Sequence, residues 1–285
     1  MKLSEINIRD PFILKHGGKY YMYGTRVVAA KFGYTPYDWG FDVYVSSDLE
    51  NFSEPKCVFE YFDGFYADDN FWAPEVHYYN DKFYMLATFK AKGGERGTAI
   101  LVSDTPDGSF TLLSDGSITP HEWSALDGTL YIEDGKPYMV FCHEWTEIRN
   151  GEVCALELSP DLSRPVGEPW VLWHGGDGSW RYDLRGDGSY VTDGPWLIKH
   201  NGKLLSLWSS MCHGGKYCEA IARSDNGSLF GNWSVDERLL LENDGGHGMV
   251  FEGYDGNRYF VYHSPNKALM ERPTLQKLDL DSLFE

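Results

Sequence analysis

Residues 10–25 read DPFILKHGGKYYMYGT. Two apolar and aromatic stretches flank Gly17-Gly18, and such a pair supplies the positive φ angles that a tight two-residue hairpin turn requires. The same pattern returns four times: APEVHYYNDKFYMLATF from Ala73, DGTLYIEDGKPYMVFCHE from Asp127, DGPWLIKHNGKLLSLWSS from Asp193 and HGMVFEGYDGNRYFVYHS from His247. The copies start 63, 54, 66 and 54 residues apart. Each has its own turn signal: Asn80-Asp81, Asp134-Gly135, Asn201-Gly202 and Asp255-Gly256. A further extended stretch with a Ser-Asp turn follows several of the hairpins, as in DVYVSSD from Asp42 and TAILVSD from Thr98. No helical periodicity is sustained anywhere.

Five units of about 55 residues, each with three or four antiparallel strands, predict an all-β, five-bladed β-propeller. With no linker rich in Pro, Ser or charge, residues 1–285 are expected to form it as a single domain. A two-sheet sandwich could hold as many strands, but it does not predict an equivalent residue heading five evenly spaced hairpins. Thr274 to Leu280 is expected to supply the third strand of the last blade. Met1 to Ile8 is expected to pair alongside it and close the ring.

Composition narrows the function. The 285 residues carry 25 Lys+Arg against 43 Asp+Glu, a formal charge of −18. Such a chain repels phosphate backbones, so nucleic acid is not an expected partner. No apolar run approaches the roughly 18 residues of a membrane span, so neither is a membrane. The five cysteines are scattered without a CxxC pair, which fits reduced, buried thiols. MKLSEINIRDPFIL lacks the apolar core of a secretory leader, so a cytoplasmic location is expected. Aromatic residues make up 16% of the chain and offer stacking faces for sugar rings.

In a propeller the first strand of each blade lines the axis, so the residues heading those strands converge at one mouth. Here they are Asp10, Ala73, Asp127, Asp193 and His247. One Asp before Gly or Pro is ordinary turn chemistry. Three at the same phase of a repeat gather like charges that raise one another's pKa, which points to function. Two carboxyl groups flanking a glycosidic bond suffice for hydrolysis, one donating a proton and the other activating water, and a third can orient the donor. Of the tryptophans (72, 123, 145, 196 and 208) that could stack on sugar, Trp72 and Trp145 stand at strand ends expected to face the opening.

At these residues the sequence resembles family 43 of the glycoside hydrolases, five-bladed propellers acting on arabinose- and xylose-containing glycans. RDPFILKHGGKYYMYGT, FWAPEVHYYNDKFYMLATF, LDGTLYIEDGKPYMVF and TDGPWLIKHNGKLLSLWSS carry the resemblance across nearly the whole chain. It implies an inverting hydrolase with Asp10 as general base, Asp127 as the carboxylate that tunes the acid, and Asp193 at the general-acid position. The family usually has Glu there, so Asp193 is one methylene short. Three readings stay open: the backbone moves inward, another carboxylate donates (Glu144 first, Glu75 second), or the propeller binds sugars with little turnover. His247 is similar to the histidine that in many members helps hold a central metal ion, often calcium. Its plainer reading is a hydrogen bond to a neighbouring carboxylate. No cofactor is expected to be required. Arg272 is a candidate sugar contact, with a surface ion pair as its alternative.

The expected substrate is therefore an oligosaccharide with arabinofuranosyl or xylosyl linkages, trimmed from its end. A phosphorolytic enzyme would need a basic cluster at the mouth, which the strand heads do not offer.

Overall fold

The computed structural model describes residues 1–27 and 39–285. Its strands form five antiparallel sheets in chain order, as the repeat predicts. Blade 1 holds Ile8–His16, Lys19–Arg26, Gly40–Ser46 and Lys56–Glu60; blade 2 holds Ala67–Tyr79, Lys82–Ala91, Arg96–Ser103 and Thr111–Leu112. Blade 3 holds Ala125–Glu133, Lys136–His143, Glu152–Leu158 and Pro165–His174; blade 4 holds Asp193–His200, Lys203–Cys212, Lys216–Ser224 and Trp233–Val235. Blade 5 has three strands, Gly246–Glu252, Arg258–Ser264 and Arg272–Lys277. The first strand of every blade touches the first strand of the next, and that of blade 5 touches that of blade 1, which makes the five sheets a closed propeller. Among the described residues no helix is long and apolar enough to cross a membrane.

Burial follows position in the ring. The second strands, such as KFYMLATFKA and KLLSLWSSMC, are buried along almost their whole length because neighbouring blades cover both faces. The outermost strand of blade 3, Pro165–His174, has half of its residues exposed and a single one buried. Trp173 and Trp208 pack together between blades 3 and 4, both fully buried, with ring centroids 6.0 Å apart. Truncating either would cost about 3–5 kcal/mol.

Four inner hairpins turn through two residues at positive φ: Gly17-Gly18, Asn80-Asp81, Asp134-Gly135 and Asn201-Gly202. Blade 5 differs, since five residues separate Glu252 from Arg258 and Gly253 N–H donates to the Asn257 carbonyl at 2.9 Å.

Ring closure also departs from expectation. The third strand of blade 5 is Arg272–Lys277, close to the expected segment, but the N-terminus adds no strand to that sheet. Leu3–Glu5 is a turn of 3-10 helix and so lacks the extended backbone that pairs with a sheet edge. Side chains make the closure instead. Asn7 Nδ2 donates to the Glu271 carbonyl at 2.7 Å, Arg272 Nε donates to the Ser4 carbonyl at 3.1 Å, and Arg9 pairs with buried Glu271 at 3.2 Å.

Candidate active site

All five inner strands carry a β-bulge, within the first few residues in blades 1, 3, 4 and 5 and at Ala73, further along the strand, in blade 2. At each bulge one residue takes positive φ: Asp10 (54°), Ala73 (45°), Asp127 (56°), Gly194 (51°) and His247 (54°). A bulge turns its side chain out of the pleat, and here it aims the strand heads at the axis. Non-glycine residues at positive φ are strained, by roughly 1–3 kcal/mol each, and such strain collects at functional sites.

This corrects one phase assignment. In blade 4 the equivalent of Asp10, Asp127 and His247 is Gly194, and Asp193 stands one residue earlier, level with Arg9, Trp72, Leu126 and Gly246. Glycine is required at 194 for a second reason: a Cβ there would lie 2.7 Å from Cδ2 of His247.

Asp10, Asp127, Asp193, Glu144 and His247 nevertheless share one cavity of about 370 Å³, with Trp72 and Trp145 in its wall. His247 Nδ1 lies 3.2 Å from Asp10 Oδ1 and 3.8 Å from Asp127 Oδ2, so the imidazole bridges two carboxylates. Burial lowers the basicity of His247, but Asp10, Asp127 and Asp193 outweigh it, and the ring holds its proton more tightly than usual. Among the described residues no three His, Cys, Asp or Glu side chains are grouped to hold a metal ion. Calcium favours six to eight oxygen ligands. The donor set around His247, whose Nδ1 faces two carboxylates, does not fit a protein-built calcium site, and no step below passes through a metal.

The three aspartates differ in environment. Burial pushes the Asp10 carboxyl up, but His247, Arg9 (4.0 Å) and the Thr25 hydroxyl (2.6 Å) outweigh it and hold it below the usual carboxylate range. Asp193, partly open to the cavity, has among the described residues a single close hydrogen-bond donor, the Tyr217 hydroxyl at 2.9 Å. Desolvation dominates there, against His247 and Tyr217, and pushes its pKa up to about 6. Asp127 is raised to about 8, by burial first and then, against His247, by its proximity to Asp193 and Asp10. Gly194 N–H donates to Asp127 Oδ2 at 3.1 Å.

The remaining candidates separate. Glu144 lines the cavity, but Arg96 binds its Oε2 at 2.6 Å, and Thr146 and Ser124 hydroxyls donate to the same oxygen. Glu75 is buried and paired with His77 at 3.0 Å, away from the cavity wall. Trp72 and Trp145 are each covered on one side by a guanidinium, Arg96 at 5.2 Å and Arg185 at 4.5 Å. Arg272 does not line the cavity, because the closure contact to Ser4 holds it outside. Trp208 is core, Trp196 packs on Phe12 and His77, and Trp123 stacks on His143.

Sequence reasoning missed Arg9, Arg96, Tyr217 and His263. His263, fully buried on the second strand of blade 5, accepts the Asp10 N–H on Nδ1 at 3.2 Å, and burial drives its pKa down to about 3, so the ring is neutral. A histidine inside the apolar run YFVYHS was a legible signal.

The model of the glycosyl hydrolases family 43 matches residues 3–281. A crystal structure of an endo-arabinase from Bacteroides thetaiotaomicron superposes with a TM-score of 0.90 at 35% identity, covering 98% of this chain and 97% of that one. A thermostable family-43 glycoside hydrolase superposes at 0.78 with 25% identity, over 96% of this chain and 90% of that one. Among sequences, an extracellular endo-α-(1→5)-L-arabinanase of Bacillus subtilis is 26% identical over 84% of this chain and 71% of its own length. A second extracellular arabinanase of that organism is 22% identical over 92% of this chain and 65% of its own length. These extracellular relatives overturn the expected cytoplasmic location. The four buried cysteines are unpaired and so do not mark a compartment. The chain belongs to glycosyl hydrolases family 43 and is a glycoside hydrolase.

Proposed function

We propose that the protein hydrolyses α-1,5-linked L-arabinofuranosyl bonds within arabinan, outside the cell, with inversion at the anomeric carbon. The relatives named as endo-arabinanases support the substrate and favour cleavage within the chain over the expected end-trimming. The observation that carries the mechanism is the unequal ionisation of Asp10 and Asp193 around one cavity.

A general base must be ionised at working pH, and Asp10 is held in that state. It takes a proton from water, whose oxygen attacks the anomeric carbon from the face opposite the leaving group. A general acid must hold its proton near the working pH, and Asp193 does so up to about pH 6. That proton passes to the glycosidic oxygen as the carbon–oxygen bond breaks. Asp127, neutral or shared with Asp193, orients the donor. Glu144, tied to Arg96, positions the wall and leaves the donor role to Asp193.

The test is hydrolysis of linear 1,5-arabinan followed by NMR of the first anomer released, together with a pH profile. The expected product has the opposite anomeric configuration to the substrate. The expected kcat/KM falls as pH rises through about 6, where Asp193 ionises, and again at low pH as Asp10 takes up a proton. Retention of configuration, or activity on xylan alone, overturns this reading.

A further inference from the structure

The seams between blades share a device with one exception. At the position of the second strand that pairs with the residue just before each head, four blades carry an oxygen or nitrogen acceptor: Thr25, Thr88, Ser209 and His263. Each takes the N–H of the next blade's head: Ala73 to Thr25 at 2.7 Å, Asp127 to Thr88 at 2.9 Å, His247 to Ser209 at 2.6 Å and Asp10 to His263 at 3.2 Å. In blade 3 the register puts Cys142, fully buried, in that position opposite Leu126.

A thiol sulfur is a weak acceptor. The head N–H that corresponds in the next blade, that of Gly194, instead reaches Asp127 Oδ2. A buried N–H takes whatever acceptor is offered, so its partner is set by what stands in the slot. We infer that this seam is a positioning device for the acid pair: Cys142 declines the Gly194 N–H, and that N–H fixes the Asp127 carboxyl beside Asp193. The four other seams spend the equivalent bond on joining blades. This one spends it on a functional carboxyl.

The inference rests on Asp127 acting in the reaction, so the two are tested together. Cys142→Ser puts a hydroxyl in the slot, and blade 4 shows that a serine there reaches the next head. It is expected to draw the Gly194 N–H away from Asp127 and lower kcat on arabinan about tenfold, with KM within about twofold of wild type. Cys142→Ala removes the thiol and offers no competing acceptor, so its kcat is expected within about twofold of wild type. A purely structural role predicts the reverse order, since Ala leaves a void and Ser restores the ring's common bond. Equal rates for the Ser and Ala variants, or a slower Ala variant, overturn the inference. Asp127→Asn is the companion: full activity there overturns the role of Asp127 itself, whatever the cysteine variants show.

Discussion

The seam between blades 5 and 1 and the seam between blades 3 and 4 each present an aspartate to the same cavity, and they treat it oppositely. Asp10 is the more buried of the two, yet it ionises more readily. Its seam brings the chain ends together through polar groups: Arg9, Glu271, Asn7, His263 and, at the head of blade 5, His247. Asp193 stands in a seam built from Trp173, Trp208 and Cys142, with Tyr217 as its near donor. Burial alone raises a carboxyl's pKa, and since His247 and Arg9 act on both aspartates, it is their close approach to Asp10, at 3.2 and 4.0 Å, that offsets the rise there. Base and acid are therefore distinguished by the seams that carry them.

The sharpest way to break that contrast is by leaving group. Asp10→Asn removes water activation and is expected to cut kcat at least about 10³-fold on arabinan and on a nitrophenyl arabinofuranoside alike. Asp193→Asn is expected to lose a similar factor on arabinan but far less on the aryl glycoside, whose leaving group needs no proton. Equal losses for Asp193→Asn on both substrates would remove it from the donor role.

The second contrast is in stability, with opposite signs. The Asp193 pKa is pushed up to about 6 from 3.8 for the free side chain, so it opposes folding increasingly as pH rises between the two values and in full above the upper one. That penalty is fully present at pH 7.5. Asparagine carries no charge, so Asp193→Asn is expected to raise Tm at pH 7.5 by a few degrees and to leave it unchanged at pH 4. Asp10 is the reverse case: its lowered pKa contributes stability above the free value that is lost as pH falls through the folded value. Asp10→Asn is expected to lower Tm at pH 7.5. Thermal melts of both variants at the two pH values check the signs.

The same contrast explains what could be read without coordinates. The hairpins were legible because Gly-Gly, Asn-Gly and Asp-Gly fix their turn geometry locally. The convergence of Asp10, Asp127 and His247 followed from their shared phase. Asp193 entered the site by a different route, since in DGPW the glycine takes the strained head and the aspartate stands one step before it. The partners that set ionisation escaped notice because Tyr217 and His263 lie on second and third strands, where an aromatic ring reads as core. Arg96 opens a third strand and reads as a turn charge until its contact with Glu144 is seen.

The smallest expected effect tests the polar seam where it is least tied to chemistry. No strand from the N-terminus enters blade 5, so beside the apolar packing of Ile8 with Met249 and Val261, closure draws on side-chain bonds at residues 4 to 9 and 271 to 272. Asn7→Ala removes the donor to the Glu271 carbonyl and leaves Arg9, Glu271 and the cavity in place. One such bond contributes about 1 kcal/mol. For a ring of this size that lowers Tm by about 2–4 °C. Because the closing segments meet beside Asp10, the melt should broaden little while amide exchange near residues 4–9 quickens first. Exchange that quickens instead at blade 3 would show that the ring opens at its apolar seam, and that the polar contacts around Asp10 serve ionisation without holding the ends together.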